Sequence, residues 1–171
     1  MEQLNCRLEI KSLDAEGKFT GLASVYGNVD LGGDVVQPGA FQKTIADRGG
    51  EVPLLFAHDM RQPIGLAKLQ DTARGLAVDG QLVLDVPKAK EAYSLLKARV
   101  LRGLSIGYDA VKSDIVGGVR HLKELKLFEV SIVVVPMNEM ATVTAVKSED
   151  VLGEQVRLFR QVLAESRKAF R

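Results

Sequence analysis

The sequence predicts a mostly β chain with flanking helices, an α+β domain built on a barrel or strongly curved sheet. Three observations carry that prediction. Short apolar runs broken by Gly, Pro or Asp recur along the chain, which is how strands joined by tight turns read in sequence. Only three segments carry a helical period, and they do not alternate with single strands as βαβ units do. The 171 residues suit one domain with an appendage and leave no room for a second full domain.

Leu4, Cys6, Leu8 and Ile10 alternate with polar neighbours, and Phe19, Gly21, Ala23 and Val25 repeat that period after the AEGK turn, so two strands open the chain. GNVDLGGD, residues 27–34, is a Gly/Asp loop. The following VVQPGAFQKTIADRGG predicts a short helix with Pro38 in its first turn and Gly49 as its stop. VPLLFAH, PIGLAKL, RGLAVDG and QLVLDV then read as separate short strands. Residues 88–102 lack Gly and Pro and place Ala92, Leu95, Leu96 and Val100 on one face, which predicts an amphipathic helix. GLSIGYDAV alternates again, IVGG marks a hairpin turn, and HLKELKLFEVSIVVVP is a long strand ended by Pro136, its second half the most buried of all. In residues 149–171, Leu152, Val156, Phe159, Leu163 and Phe170 form one apolar seam. The expected organisation is therefore a barrel domain over 1–148 and a C-terminal amphipathic helix over 149–171 that packs back on it or docks a partner.

Composition narrows the function classes. With 46% hydrophobic and 26% charged residues the chain can bury a real core. Its 23 basic and 22 acidic side chains leave a net charge of +1, so no overall field draws it onto nucleic acid or a membrane surface. The lone Cys6 cannot close an internal disulfide, which suits a reducing compartment, and with two His it makes a poor zinc set unless carboxylates complete it. No stretch reaches the roughly 20 apolar residues that cross a bilayer, and the acidic, alternating N-terminus is unlike a signal peptide, so a cytosolic protein without a cofactor is expected.

Four residues attract chemical interest. His58 ends the run Val52, Leu54, Phe56 on one strand face, either as a strand-end histidine bonded to backbone or as a functional base; Asp59 faces the other way. In RGLSIGY, Ser105 shares a face with Gly103 and Gly107, a bare shelf that lets a substrate backbone approach, although a serine on such a strand also serves structure alone. GLSIG has the GxSxG spacing but stands at a helix-to-strand junction, not on the strand-to-helix turn of the nucleophile elbow. Glu129 sits in an otherwise apolar strand, so its carboxylate needs a partner, either a Lys or Arg in a salt bridge or a functional group. His121, between Arg120 and Lys123, reads as a solvated residue near the hairpin. A serine, an imidazole and a carboxylate are the three types a nucleophilic relay requires, because serine is a poor nucleophile until a base takes its proton.

GLASVYGNVDLGGDVVQPGAF, VPLLFAHD with PIG after it, RGLSIGY, and LFEVSIVVVPMNEMATV together resemble the successive blocks of the prohead serine protease family of tailed bacteriophages. The resemblance runs from Gly21 to Val146, and that family is similar in fold to the herpesvirus assemblins. It implies a closed β-barrel surrounded by a few α-helices. It also implies a metal-independent serine endopeptidase acting inside the phage procapsid in the bacterial host cytoplasm. Its substrates would be scaffold protein or the scaffold-like arm of the major capsid protein, and often itself. A homo-oligomer is implied too, with the dimer formed by assemblins as one form of it. The family's histidine falls on His58, its nucleophile on Ser105 and its third member on Glu129. Because assemblins use a second histidine there, His121 competes for the third role. The oxyanion donors are unassigned, with Val119 to Leu122 the candidate stretch, and the GNVDLGGD loop matches without an assignable chemistry. The competing reading is a non-catalytic β-barrel module of capsid assembly in which the three residues are merely packed. A carboxylate-assisted metal hydrolase would need His58 and His121 in one site.

Overall fold

The alternating runs pair into one mixed sheet in the computed structural model, which describes residues 16–146. In chain order the elements are β1 (Lys18–Val25), β2 (Asp34–Val36), α1 (Gln42–Asp47), β3 (Glu51–Phe56), β4 (Pro63–Thr72), β5 (Gly75–Leu82), α2 (Pro87–Lys97), β6 (Gly103–Val116), β7 (Val119–Val133) and β8 (Val143–Val146). The strand order is β2-β7-β3-β4-β5-β1-β8, with β6 on the other edge of β7. This is a mostly β domain with few helices, and the sheet curls. At the seam between β6 and the segment entering β8 there is an isolated bridge, Gly103 with Thr142, rather than a continuous ladder. The inner faces supply Phe19, Leu54, Ile64, Leu76, Leu82, Leu104, Leu127 and Ile132, all inaccessible or nearly so. Burying each aliphatic side chain of that size contributes about 1.5–3 kcal/mol. Among the described residues no helix is long and apolar enough to cross a membrane.

Several elements differ from their sequence expectation, each for a tertiary reason. RGLAVDG and QLVLDV are not two strands: β5 runs straight through Gly80, because the Phe19 ring lies where a side chain at 80 would go, 2.2 Å from its Cβ position. Gly80 is thus a packing glycine and not a turn. β2 occupies residues read as the helix entry; three residues make a strand only because Arg120–Leu122 of β7 pair with them in parallel. Pro38 accordingly precedes the helix, in a turn closed by the Ala40 N–H on the Gln37 carbonyl, and α1 starts after the fully buried Phe41. α2 stops at Lys97 rather than Arg102, since Arg99 adopts a left-handed φ of 59°, and Val100 is exposed instead of joining Ala89, Ala92 and Leu96 in the core. The hairpin turn at Gly117 and Gly118 has φ of 58° and 83°, the positive pair that a two-residue turn of this kind needs. The expected strand at Leu4–Ile10 and the expected helix over 149–171 lie outside the described residues.

Candidate active site

β7 organises the polar chemistry of the domain. β6 pairs along one of its edges, while β2 and β3 share the other edge at opposite ends, both parallel to it. β3 meets β7 at Leu54 with Val130, Leu55 with Ser131 and Phe56 with Ile132. The ladder continues one step further, where the Ala57 N–H donates to the Ile132 carbonyl at 3.1 Å. There the chain leaves the strand: Ala57 and His58 both take left-handed backbone angles, φ 51° and 59°. Non-glycine residues rarely adopt that region, at a cost of about 1 kcal/mol or more each, so the surroundings must hold them there. His58 is therefore a turn residue beyond β3, not the next step of the Val52, Leu54, Phe56 face. The turn is fastened by the Asp59 N–H on the Phe56 carbonyl and by the His58 N–H on the Ser131 hydroxyl, both 3.0 Å.

That turn aims the imidazole at Glu129. Glu129 is 3% exposed, and an unpartnered carboxylate at such depth costs several kcal/mol. It has two partners, neither of them Lys or Arg. His58 Nδ1 donates to Oε1 at 2.7 Å, and the Ser131 hydroxyl donates to Oε2 at 2.6 Å. Gly107 stands opposite Glu129 in the β6–β7 register, and a Cβ there would lie 2.4 Å from Oε1. Gly103 is crowded in the same way by Pro136 Cδ, 2.8 Å from its Cβ position. The glycines flanking Ser105 thus make room for this chain's own groups, which corrects the reading of a bare shelf for a substrate backbone.

Ser105 is paired directly across from Ser131, so in an antiparallel ladder the two hydroxyls emerge on one face, the face that carries Glu129. Leu104 and Ile106 turn the other way into the core. Ser105 itself is 5% exposed, whereas the His58 side chain is 45% exposed, so the cluster runs from a solvent-facing ring to a buried carboxylate. The hydrogen bond donated to Glu129 raises the His58 pKa above its ordinary 6.5, burial pulls it down, and the Glu129 charge adds to the rise. With Nδ1 committed to Glu129, the neutral ring carries its lone pair on Nε2. Such a ring can accept a proton at Nε2 and hold the resulting positive charge against the carboxylate.

The remaining candidates lie elsewhere. His121 is half-buried and accepts the Gln37 side-chain N–H at Nδ1 at 2.9 Å, so it is partnered rather than free in solvent. It precedes Ser131 by ten residues on the same strand, a separation of about 30 Å at the usual rise. The stretch Val119 to Leu122 shares that distant end, paired with β2 and the far half of β6. Asp59 is bound by Arg61 and Gln62. In the GNVDLGGD loop, Asp30 Oδ1 accepts the N–H groups of Gly32 and Asp34 at 2.9 Å. The loop is tied to the segment after β7 by the Leu31 N–H on the Met137 carbonyl, 3.0 Å, and by reciprocal amide contacts of Asn28 with Asn138, 3.2 Å. It braces the segment whose Pro136 packs on Gly103. Sequence reasoning passed over Ser131; the available signal was a hydroxyl two residues from a buried carboxylate on the same strand. Among the described residues no cluster of three or more His, Cys, Asp or Glu is placed to hold a metal ion.

The chain is similar to the prohead protease of Enterobacteria phage HK97, 34% identical over 140 residues that cover 79% of this chain and 62% of that protein. It is similar to the capsid polyprotein of Pseudomonas phage PAJU2, 37% identical over 153 residues covering 84% of this chain and 22% of that protein. It is also similar to the prohead protease of Escherichia phage T5, 32% identical over 149 residues covering 81% of this chain and 70% of that protein. The chain thus spans less than two thirds of the length of the first two relatives. The family described as caudovirus prohead serine protease matches residues 6–154, and the chain belongs to it.

Proposed function

We propose that the chain is a serine endopeptidase of phage head maturation, with Ser105 as nucleophile, His58 as general base and then general acid, and Glu129 as the carboxylate that orients the imidazole. The observation that supports this most is the buried carboxylate of Glu129 bonded to His58 Nδ1. A residue serving packing alone is satisfied as well by a permanently charged Lys or Arg, whereas a titratable partner is what proton transfer requires. In this reading Ser105 Oγ attacks the scissile carbonyl while Nε2 of His58 takes its proton. Glu129 steadies the imidazolium, and Nε2 then passes the proton to the leaving amine. Water hydrolyses the acyl-enzyme by the same sequence of transfers.

The proposed substrates are the scaffold protein or the scaffold-like arm of the major capsid protein, and the enzyme itself. The similarity to a capsid polyprotein supports a place among capsid components. The setting is the inside of the procapsid in the host cytoplasm, with the enzyme as a homo-oligomer. The same reading includes assemblin-like closure of the barrel at the β6–β8 seam. Incubation with the cognate scaffold and major capsid proteins, beside a Ser105→Ala variant, tests the proposal. Cleavage should fall by at least about 1,000-fold in a protein that stays folded. Cleavage by purified Ser105→Ala at the unaltered rate would overturn it.

A further inference from the structure

We propose that Ser131 is a positioning residue that fixes both partners of the His58–Glu129 pair with a single hydroxyl. The inference rests on the relay described above and adds a member to it. Ser131 has no exposed surface. A hydroxyl carries one proton and two lone pairs, and both kinds of valence are used here: the proton goes to Glu129 Oε2 at 2.6 Å, and a lone pair accepts the His58 backbone N–H at 3.0 Å. A buried strand position otherwise filled by core residues, Val130 and Ile132 on either side, has no use for a hydroxyl except through such bonds.

Each bond solves a distinct problem. The last torsion of a glutamate is broad, so one hydrogen bond from an imidazole leaves the carboxylate free to swing. The second bond, at Oε2, turns Oε1 toward His58 Nδ1. On the other side, the β3–β7 ladder has no backbone acceptor for the His58 N–H once the chain turns left-handed after the Ala57 contact with Ile132. The Ser131 side chain stands in for that acceptor and holds the turn whose backbone angle directs the ring. Ser131 does not itself serve as a second nucleophile, since its proton is directed at a carboxylate and its oxygen is buried. It acts through His58 and Glu129.

Ser131→Ala tests this through readouts that a merely structural serine would leave alone. The kcat should fall about 10- to 100-fold with KM unchanged, the signature of misplaced catalytic groups. In NMR spectra at a pH where the ring is protonated, the His58 Nδ1–H resonance should broaden or vanish. The His58 amide should exchange faster while amides of β6 and β7 stay protected. Ser131→Thr, which keeps the hydroxyl, should restore the resonance and most of the rate. If the added methyl prevents folding, Ser131→Cys should give values between serine and alanine, because a thiol is the weaker donor and acceptor. Unchanged kcat together with an intact Nδ1–H resonance in Ser131→Ala would overturn the assignment and leave the relay standing. The spectroscopic readouts need no turnover. Active Ser105→Ala would instead overturn the relay while leaving the Ser131 contacts measurable.

Discussion

β7 carries a buried carboxylate pair at each end, and the two pairs differ in one chemical respect. At its start, Asp34 of β2, 5% exposed, is held by Arg120 through a two-pronged contact, Nε to Oδ1 at 2.7 Å and the second nitrogen to Oδ2, with Tyr108 at 3.4 Å. At its finish, Glu129 of β7 is held by His58, just beyond β3. Both pairs join β7 to a strand that runs parallel to it, and both satisfy a carboxylate that burial would otherwise penalise. The guanidinium is always charged and cannot give up its proton, so the first pair is a fixed clamp on a three-residue strand. The imidazole is exchangeable near neutrality, so the second pair is able to take up and give back a proton. Burial of a carboxylate alone therefore says little about function; the titratability of its partner separates the two ends.

The sharpest way to break this comparison is Glu129→Gln. The amide keeps the volume but cannot balance the imidazolium, so cleavage should drop by about 10³- to 10⁴-fold while circular dichroism stays unchanged. A cleavage rate near that of the unaltered protein would remove the distinction between the ends. The mirror experiment, Asp34→Asn, should leave the cleavage rate of folded protein intact and lower stability in urea unfolding by about 2 kcal/mol, midway between exposed and buried pairs, since Arg120 remains half in solvent. Equal loss of activity in both variants would mean that β2 acts on the site directly.

A smaller effect concerns pH. Because Glu129 raises the His58 pKa above 6.5 and the base must be neutral to accept a proton, kcat/KM should fall on acidification through a midpoint above 6.5. The signs for stability run the other way: the pair's contribution is complete below the unfolded-state pKa of about 6.5 and fades as pH rises through the higher folded value. That contribution is modest, as the ring is nearly half exposed. Asp34 behaves oppositely. Hydrogen bonds from Arg120 depress its pKa below 3.8, and its contribution is lost only as pH falls through that depressed value. Rate and unfolding profiles measured over the same pH range should therefore separate: on acidification the rate falls near neutrality, where stability gains modestly from the His58 pair, and the Asp34 contribution to stability is lost only in acid. The smallest effect should come from His121→Ala, which removes the Gln37 contact far from Ser105: unchanged cleavage and a stability loss of about 1 kcal/mol or less. A large loss of rate there would return His121 to contention as the third member.

Much of the fold was legible because strand faces announce themselves locally. Period-two alternation marked β1 and β6, short apolar runs between breakers marked β3 and β4, a long run ended by Pro136 marked β7, and the paired glycines at 117 and 118 marked the hairpin. What escaped depended on distant partners. β2 is a strand only because β7 lies beside it, and Gly80 continues β5 only because Phe19 fills its empty side. Neither fact has a local signature. The candidate residues were legible one at a time as chemical types, yet the partner of Glu129 was open between a basic residue and a functional group, and Ser131 went unremarked.

The sequence by itself determined which segments alternate, where the Gly117–Gly118 hairpin turns, and that a serine, an imidazole and a carboxylate occur on or beside strands; these follow from nearest-neighbour sterics and from the cost of burying polar atoms. Only the tertiary structure decided that the carboxylate of Glu129 meets an imidazole from 71 residues away. The parallel docking of β3 on β7 brings the two together, and the left-handed turn at Ala57 and His58 swings the ring inward instead of leaving it on the strand face. The Ser131 hydroxyl fastens that turn through the His58 N–H, the absent side chain of Gly107 leaves room at Oε1, and both carboxylate oxygens of Glu129 have a partner.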